Sequence, residues 1–451
     1  MAVVLIGVAV LLFLVAQISV ALALVSAMAL VFAGLVAVFA RVEYLLHFLI
    51  IIPLIEGLAV GPITIGRVAS AGALGAVIGL FLLTDWKPVR TPIRLWVPAL
   101  ALLAWAILSG LWARSVGDYL TGIGQLGVAV AVLVVTALTL RNVATFTAIM
   151  RTYVVVAALV CIPATLQALA GQRAVGLHEN PNQFARALVL ALLALAYLVR
   201  VRGLARSRWL VLLGPVLAWG VISTGSRTGV LVLVGAGLLI AYEFAPRGKR
   251  VAVMAAAVLI VAVGFVGLVS TSARFDPTSA IRDRGASRLD IWLVALRQVD
   301  DAPLHGMGLN GFRSQAVDLL ASEPGVEVVA GHVLEAEDGL AVHNQYLDFL
   351  VNLGIIGLGL YLWTVGQAAA SAWFTPNASW RGAATTLILQ MLLVVSFTLL
   401  FGSAINNKHL WMLIGVSIAM NALPERQDAA GSARVSPSLA RRDRGVGLQV
   451  R

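Results

Sequence analysis

Apolar stretches about as long as a bilayer is thick recur from one end of this chain to the other. A helix needs about 20 such residues to cross a hydrocarbon core. The composition agrees: of 451 residues 60% are hydrophobic and 12% charged, with a mean hydropathy of +0.96. A soluble chain carries about a quarter charged residues. Candidate spans fall at about 2–22, 23–40, 43–58, 66–83, 94–112, 118–140, 146–170, 183–200, 208–223, 228–244 and 250–270, then about 345–369, 383–402 and 405–422. The weakest is 43–58, which holds Pro53 and Glu56 and reads either as a span or as a re-entrant segment. Met1 to Ala40 carries no charged side chain and lacks the basic start of a cleaved leader, so it reads as two spans joined by a tight turn.

The expected fold class is therefore all-α, a polytopic transmembrane bundle of about 12–14 spans with one large extracytoplasmic loop. Four parts are expected: an N-terminal bundle over 1–270, a loop domain over 271–344, C-terminal transmembrane helices over 345–422, and a disordered cytoplasmic tail over 423–451. The only cysteine, Cys161, lies in an apolar run, which excludes an internal disulfide and a cysteine metal site.

The net charge of +11 invites a nucleic-acid reading, but membrane proteins concentrate Lys and Arg in cytoplasmic loops. With both termini inside, the inner loops hold Lys87, Arg90, Arg94, Arg141, Arg151, Arg200, Arg202, Arg206, Arg208, Arg247, Lys249 and Arg250. Adding Arg41, Arg381 and the six arginines of the tail places 20 of the 32 basic residues inside. That orientation puts 271–344 on the outer face. This loop is acidic overall, with six arginines against eleven carboxylates. Within it Ser287 to Val299 predicts an amphipathic helix along the membrane surface, with Leu289, Trp292, Leu293 and Leu296 on one face and Ser287 and Asp290 at capping-box spacing.

Imposing this topology shows where chemistry can sit. Three outer-side junctions are unusually polar: Gln172 to Gln183, Thr224 to Gly229, and His343 to Tyr346. Each precedes a span running inward, so three helix N-termini would turn their partial positive charge toward one surface. With Arg173, Arg227 and Arg288, which run against the charge bias of the loops, they form a candidate anion site. Taken singly, each has a plainer explanation. Arg227 can snorkel, Asn180-Pro181-Asn182 can be a turn and cap, and His343 can be a capping histidine. Gly306, Gly308 and Gly311 spell a dinucleotide fingerprint, but without a βαβ unit they read as turns after the amphipathic helix. Glu335, Glu337 and Asp338 read as a solvated acidic loop. Glu56, Arg186 and Asp348 are expected toward the outer ends of spans whose interiors are otherwise nearly charge-free. That pattern argues against the rival class, a transporter or flippase of a lipid-linked or anionic substrate.

Four stretches in order carry a resemblance: Asn180-Pro181-Asn182-Gln183-Phe184-Ala185, Ser226-Arg227-Thr228, Arg288-x-x-Ile291-Trp292, and His343-Asn344-x-Tyr346-Leu347. Between the last two lies Pro303 to Phe312, and Gly354 to Leu358 follows. Together they resemble the O-antigen ligase and polysaccharide polymerase superfamily of bacterial membrane glycosyltransferases. The resemblance implies a multi-pass protein of the bacterial inner membrane working at its outer face. The implied reaction is transfer of a glycan from a polyprenyl (undecaprenyl) pyrophosphate donor to a glycan or lipid-glycan acceptor hydroxyl in cell-surface polysaccharide synthesis, with no metal, cofactor or nucleic acid. By that resemblance Arg227 and Arg288 hold the pyrophosphate and His343 is the general base. Arg173, Asn180, Asn182, Ser226, Asn344 and Tyr346 complete the expected substrate-binding set.

Overall fold

The computed structural model describes residues 42–57, 59–60, 63–83, 85–178, 180–259, 288–322, 341–403 and 405–422. The expected spans at about 2–22 and 23–40, the cap residue Ser287, the acidic Glu335, Glu337 and Asp338, and the tail lie outside these residues. In chain order the helices are α1 (Val42–Ile51), α2 (Ile65–Leu83), α3 (Val97–Leu108), α4 (Val116–Thr139) and α5 (Val143–Leu169). Then come α6 (Pro181–Arg202), α7 (Leu204–Val211), α8 (Leu213–Ser223), α9 (Arg227–Phe244), α10 (Arg288–Asp301) and α11 (Gly311–Ser322). The last three are α12 (Gln345–Trp373), α13 (Ala383–Thr398) and α14 (Lys408–Ala419). The architecture is all-α as expected; a two-residue antiparallel pairing, β1 (Ala59–Val60) with β2 (Ile63–Thr64), shapes the connection between α1 and α2.

Among the described residues 7 helices are long and apolar enough to cross a membrane: α4, α5, α6, the joined Leu204–Ser223, α9, α12 and Ala383–Phe401. Tyr44–Leu54, Ala69–Leu82, Val97–Leu111 and Lys408–Ala419 are apolar but shorter. The weak candidate span at about 43–58 is cut short as its content predicts. Helix α1 ends at Ile51, a 3-10 turn carries Pro53, and Glu56 lies in the turn beyond.

Helix α6 forms the centre. It is buried from Phe184 to Leu198 except for a partly exposed Leu192, and packs on α5, α8, α9 and α13. Without an apolar driving force between helices in lipid, close approach depends on small residues. A Cβ on Gly229 of α9 would lie 2.5 Å from the Ala185 Cβ of α6, so the Ala185 methyl sits directly against the Gly229 backbone.

Helix α12 is interrupted. Gly354 sits at φ 68° and ψ −172°, outside helical space. A break in a spanning helix frees backbone groups that lipid cannot satisfy. Here protein satisfies them. The carbonyls of Val351, Asn352 and Leu353 accept from Met307 N–H, Gly308 N–H and Trp105 Nε1, each at 2.9 Å. The N–H groups of Ile355 and Ile356 donate to Pro303 and Leu304 carbonyls at 2.9 and 3.4 Å, and Asn352 Oδ1 accepts from Phe312 N–H at 2.8 Å. The glycine-rich segment after α10 therefore makes the turns expected of it and also seals the break. Its approach leaves no room for side chains: a Cβ on Gly306 would lie 2.4 Å from the Asn352 carbonyl carbon, and one on Gly354 2.2 Å from that of Leu304.

Helix α10 spans Arg288–Asp301, close to the expected 287–299. The expected apolar face is largely uncovered at Leu289, Leu293 and Leu296, while Trp292 Nε1 donates to the Val342 carbonyl at 2.9 Å. A second face, not expected from the pattern, buries Ile291, Val294 and Ala295 in a small core with Phe312 and Leu320 near α11 and Leu347 and Val351 of α12. Gly354→Ala should lose about 3 kcal/mol or more through overpacking and backbone strain. Gly359→Ala on the same helix, where a Cβ would meet nothing within 4 Å, should leave the detergent unfolding temperature unchanged. Equal behaviour of the two variants would refute the sealed-break account.

Candidate active site at the helix N-termini

The first junction is held by Gln167, whose Oε1 accepts from Val175 and Gly176 N–H at 2.8 and 2.9 Å. Asn180 then caps α6, its Oδ1 accepting from Asn182 and Gln183 N–H. Arg173 is exposed, and its Nε donates to the Thr224 carbonyl of the second junction at 3.1 Å. At that junction Ser226 caps α9 through Gly229 N–H at 2.9 Å, and the half-buried Arg227 is the first helical residue. Asn or Ser caps suit these starts because the first N–H groups of a helix have no intrahelical partner. The oxygens of Asn180 and Ser226 are therefore already engaged, and the half-buried Asn182 follows on the first turn.

At the third junction the cap of α12 is Asn344, whose Oδ1 accepts from Tyr346 and Leu347 N–H at 3.0 and 3.1 Å. Capping therefore does not explain His343. That residue has φ 56°, in the left-handed region that few non-glycine residues adopt. Such strain collects where a side chain must be aimed. Burial pushes the His343 pKa down to about 4, and the nearby Arg288 guanidinium adds to the fall. The imidazole is therefore neutral at pH 7 and able to accept a proton. Burial also lowers the pKa of Arg288. Tyr346 donates its hydroxyl to the Ser396 carbonyl at 2.9 Å.

These junctions share one end of the bundle. Ala174 N–H donates to the Ser223 carbonyl, Gly57 N–H to that of Leu177, and Asn344 N–H to Ser403 Oγ. A Glu56–Lys408 ion pair links the turn after α1 to the start of α14. Direct contacts thus join Arg173 to the Arg227 junction, and electrostatic proximity joins Arg288 to His343. Among the described residues no group of three or more His, Cys, Asp or Glu could hold a metal ion.

Residues 212–362 match the O-antigen ligase family. The match covers about a third of the chain, whose long apolar helices are those of a multi-pass membrane protein. No curated protein matches it. The matched region contains Arg227, Arg288, His343 and the sealed break at Gly354, while Arg173, Asn180 and Asn182 precede it.

Beside the junctions the bundle holds buried charges near helix starts, among them the expected Arg186 and also Lys408, which the sequence pattern did not single out. Lys408 is 2% exposed and Arg186 6%. Lys408 pairs with Glu56, while Arg186 Nε has no hydrogen-bond partner among the described residues. His409, also buried, shares a 2.8 Å hydrogen bond with Tyr153 Oη. His178 is buried in the first junction, where its Nδ1 accepts from Asn180 N–H at 3.3 Å. Burial pushes its pKa down to about 4, with Glu56 opposing and Arg186 and Lys408 adding to the fall. Lys408 and His409 follow Asn406-Asn407 at the start of an apolar run, and nothing local points to Glu56, which lies 352 residues away. The signal available was the cost of a lone charge in hydrocarbon, which demands a partner.

Removing one partner of a buried ion pair costs about 3–5 kcal/mol, whereas removing both costs far less. Lys408 is the deeper partner, with side-chain exposures of 1% against 16% for Glu56. Glu56→Gln, which orphans the lysine, should therefore destabilise more than Lys408→Met, and the double variant should regain most of the loss in thermal unfolding. Additive losses in the double variant would contradict the pairing.

Proposed function

We propose that this chain transfers a glycan from a polyprenyl (undecaprenyl) pyrophosphate donor to a sugar hydroxyl at the outer face of the bacterial inner membrane. On this reading residues 271–344 face the outside and residues 423–451 the cytoplasm, as the charge bias of the loops suggests. The observation that carries it is His343, neutral and strained in its backbone, beside Arg288 and ahead of a helix capped by its neighbour. The acceptor hydroxyl attacks the anomeric carbon and gives its proton to the His343 imidazole. The bond from that carbon to the pyrophosphate oxygen breaks, and the electron pair leaves with the pyrophosphate.

Arg227 and Arg288 receive that developing charge, and donors oriented in advance are most effective for this purpose. Guanidinium suits the task because its planar fork makes paired hydrogen bonds to phosphate. Asn180, Ser226 and Asn344 act chiefly by presenting helix N-termini, with the amide N–H groups of the two asparagines left to donate. Arg173, Asn182 and Tyr346 complete the substrate surface. Neither a metal nor a cofactor enters these steps. A second reading, a transporter or flippase, draws on the half-buried Glu56 and the buried Arg186, Lys408 and His409. It is the weaker one, because Glu56 and Lys408 neutralise each other and the family match covers the arginines and His343 instead.

Arg227→Ala and Arg288→Ala should each lower turnover on a purified polyprenyl-pyrophosphate glycan about 10²–10³-fold, the usual loss for one transition-state donor. Lysine should restore only part of it. Wild-type turnover in both alanine variants would reject the phosphate clamp. An impermeant thiol reagent on intact cells, in a Cys161→Ala background, should label a cysteine at position 325 and spare one at 430; the reverse pattern would reject the outer-face assignment.

A base must be neutral to act, so acid removes activity. With a free-enzyme pKa of about 4 for His343, kcat/KM should be flat from pH 8 to 6 and fall as pH approaches that value. Bound pyrophosphate favours the imidazolium, so the fall in kcat should lie at higher pH. Activity that rises as pH drops would contradict a general base.

A further inference from the structure

At the end of the bundle opposite the helix N-terminal site lies a cavity of about 370 Å³. It sits between α1, the early turns of α5 and the last turn of α6. His47, Arg151, Thr152, Val155, Val156 and Arg202 line it, and among the described residues no carboxylate does. His47 Nδ1 and Thr152 Oγ1 lie 2.7 Å apart, which fixes the α1 wall against α5. Arg151 is exposed and Arg202 half-buried. The neighbouring Arg200 is paired with Glu243, so the local carboxylate is already matched. Two arginines at an otherwise largely apolar cavity, whose His47 and Thr152 are bonded to each other, offer guanidinium donors for a phosphate-bearing group.

The surroundings identify the molecule that carries it. From Arg151 an uninterrupted exposed apolar stripe runs along α5 through Val155, Leu159, Ile162, Leu166 and Leu169. These positions recur at three- and four-residue steps and so share one face. From Val155 to Leu169 that face is roughly 20 Å long at 1.5 Å per residue, about the length of an extended acyl chain. A free phosphate would need the arginines but not the stripe. A neutral lipid would need the stripe but not the arginines. We propose that this cavity binds the phosphate headgroup of an anionic glycerophospholipid, its acyl chain lying along the exposed face of α5. Basic pockets between spanning helices recognise anionic headgroups in this way. The proposal stands independently of the glycosyl-transfer reading, since it uses none of the same residues.

The test is lipid binding to the full-length protein in detergent, read by native mass spectrometry with phosphatidylglycerol, phosphatidylcholine or inorganic phosphate. Phosphatidylglycerol should bind about tenfold tighter than phosphatidylcholine, and inorganic phosphate should compete only at far higher concentration. Arg151→Gln with Arg202→Gln should abolish the preference for phosphatidylglycerol. Arg206→Gln, at an exposed arginine outside the cavity, should keep it and so control for general surface charge. Should the double glutamine variant fail to fold, Arg151→Lys with Arg202→Lys keeps the charge and should retain a reduced preference. Equal affinity for the two lipids, or a preference that survives the glutamine pair or is matched by free phosphate, would overturn the proposal.

Discussion

The constraint on which this structure depends is that a backbone break inside a membrane helix must have its hydrogen bonds supplied by protein. Gly354 makes such a break in α12, and the segment from Pro303 to Phe312 supplies the partners. That sealing does more than stabilise the kink. The segment directly follows α10, which begins at Arg288, and the short first part of α12 directly follows His343. Ile291 and Val294 pack with Leu347 and Val351 in the same small core. The break, its seal and the core together hold one arginine and one histidine, far apart in sequence, at the same end of the bundle.

Low dielectric explains how the rest of that end is organised. Caps at Asn180, Ser226 and Asn344 satisfy the first N–H groups of three helices, and the aligned peptides behind them favour an anion in front. Beside those caps the same low dielectric requires Lys408 to have Glu56 as its partner, because a lone cation there would be too costly. Pairing also anchors α14 to the turn after α1, which closes the ring of junctions. The Glu56–Lys408 pair follows the rule that a buried charge is kept where an opposite charge meets it.

The sequence was most informative where the chemistry is local. Caps, the start of α10, the arginines against the charge bias and the odd histidine all lie within a few residues of their signals. The double life of α10 was not readable from its pattern, because Leu289, Leu293 and Leu296 form so clear an apolar face that Ile291, Val294 and Ala295 behind them pass as filler. Gly306 and Gly308 announced turns but not their partner, which lies on α12 beyond a long connection. The Glu56–Lys408 pair was invisible for the same reason, since periodicity and capping carry no information about contacts across hundreds of residues. Hydropathy also does not give helix length: α1 and α14 are apolar but only 10 and 12 residues long.

The central claim is that His343 removes a proton during glycan transfer. The most direct measurement is single-turnover transfer by His343→Gln with saturating polyprenyl-pyrophosphate glycan, alongside donor affinity measured separately. Glutamine keeps a hydrogen-bonding side chain but cannot accept the proton. Loss of general-base assistance costs about 10²–10⁴ in rate, so the account predicts that fall with donor affinity nearly unchanged. A His343→Gln enzyme that turns over at the wild-type rate would contradict it.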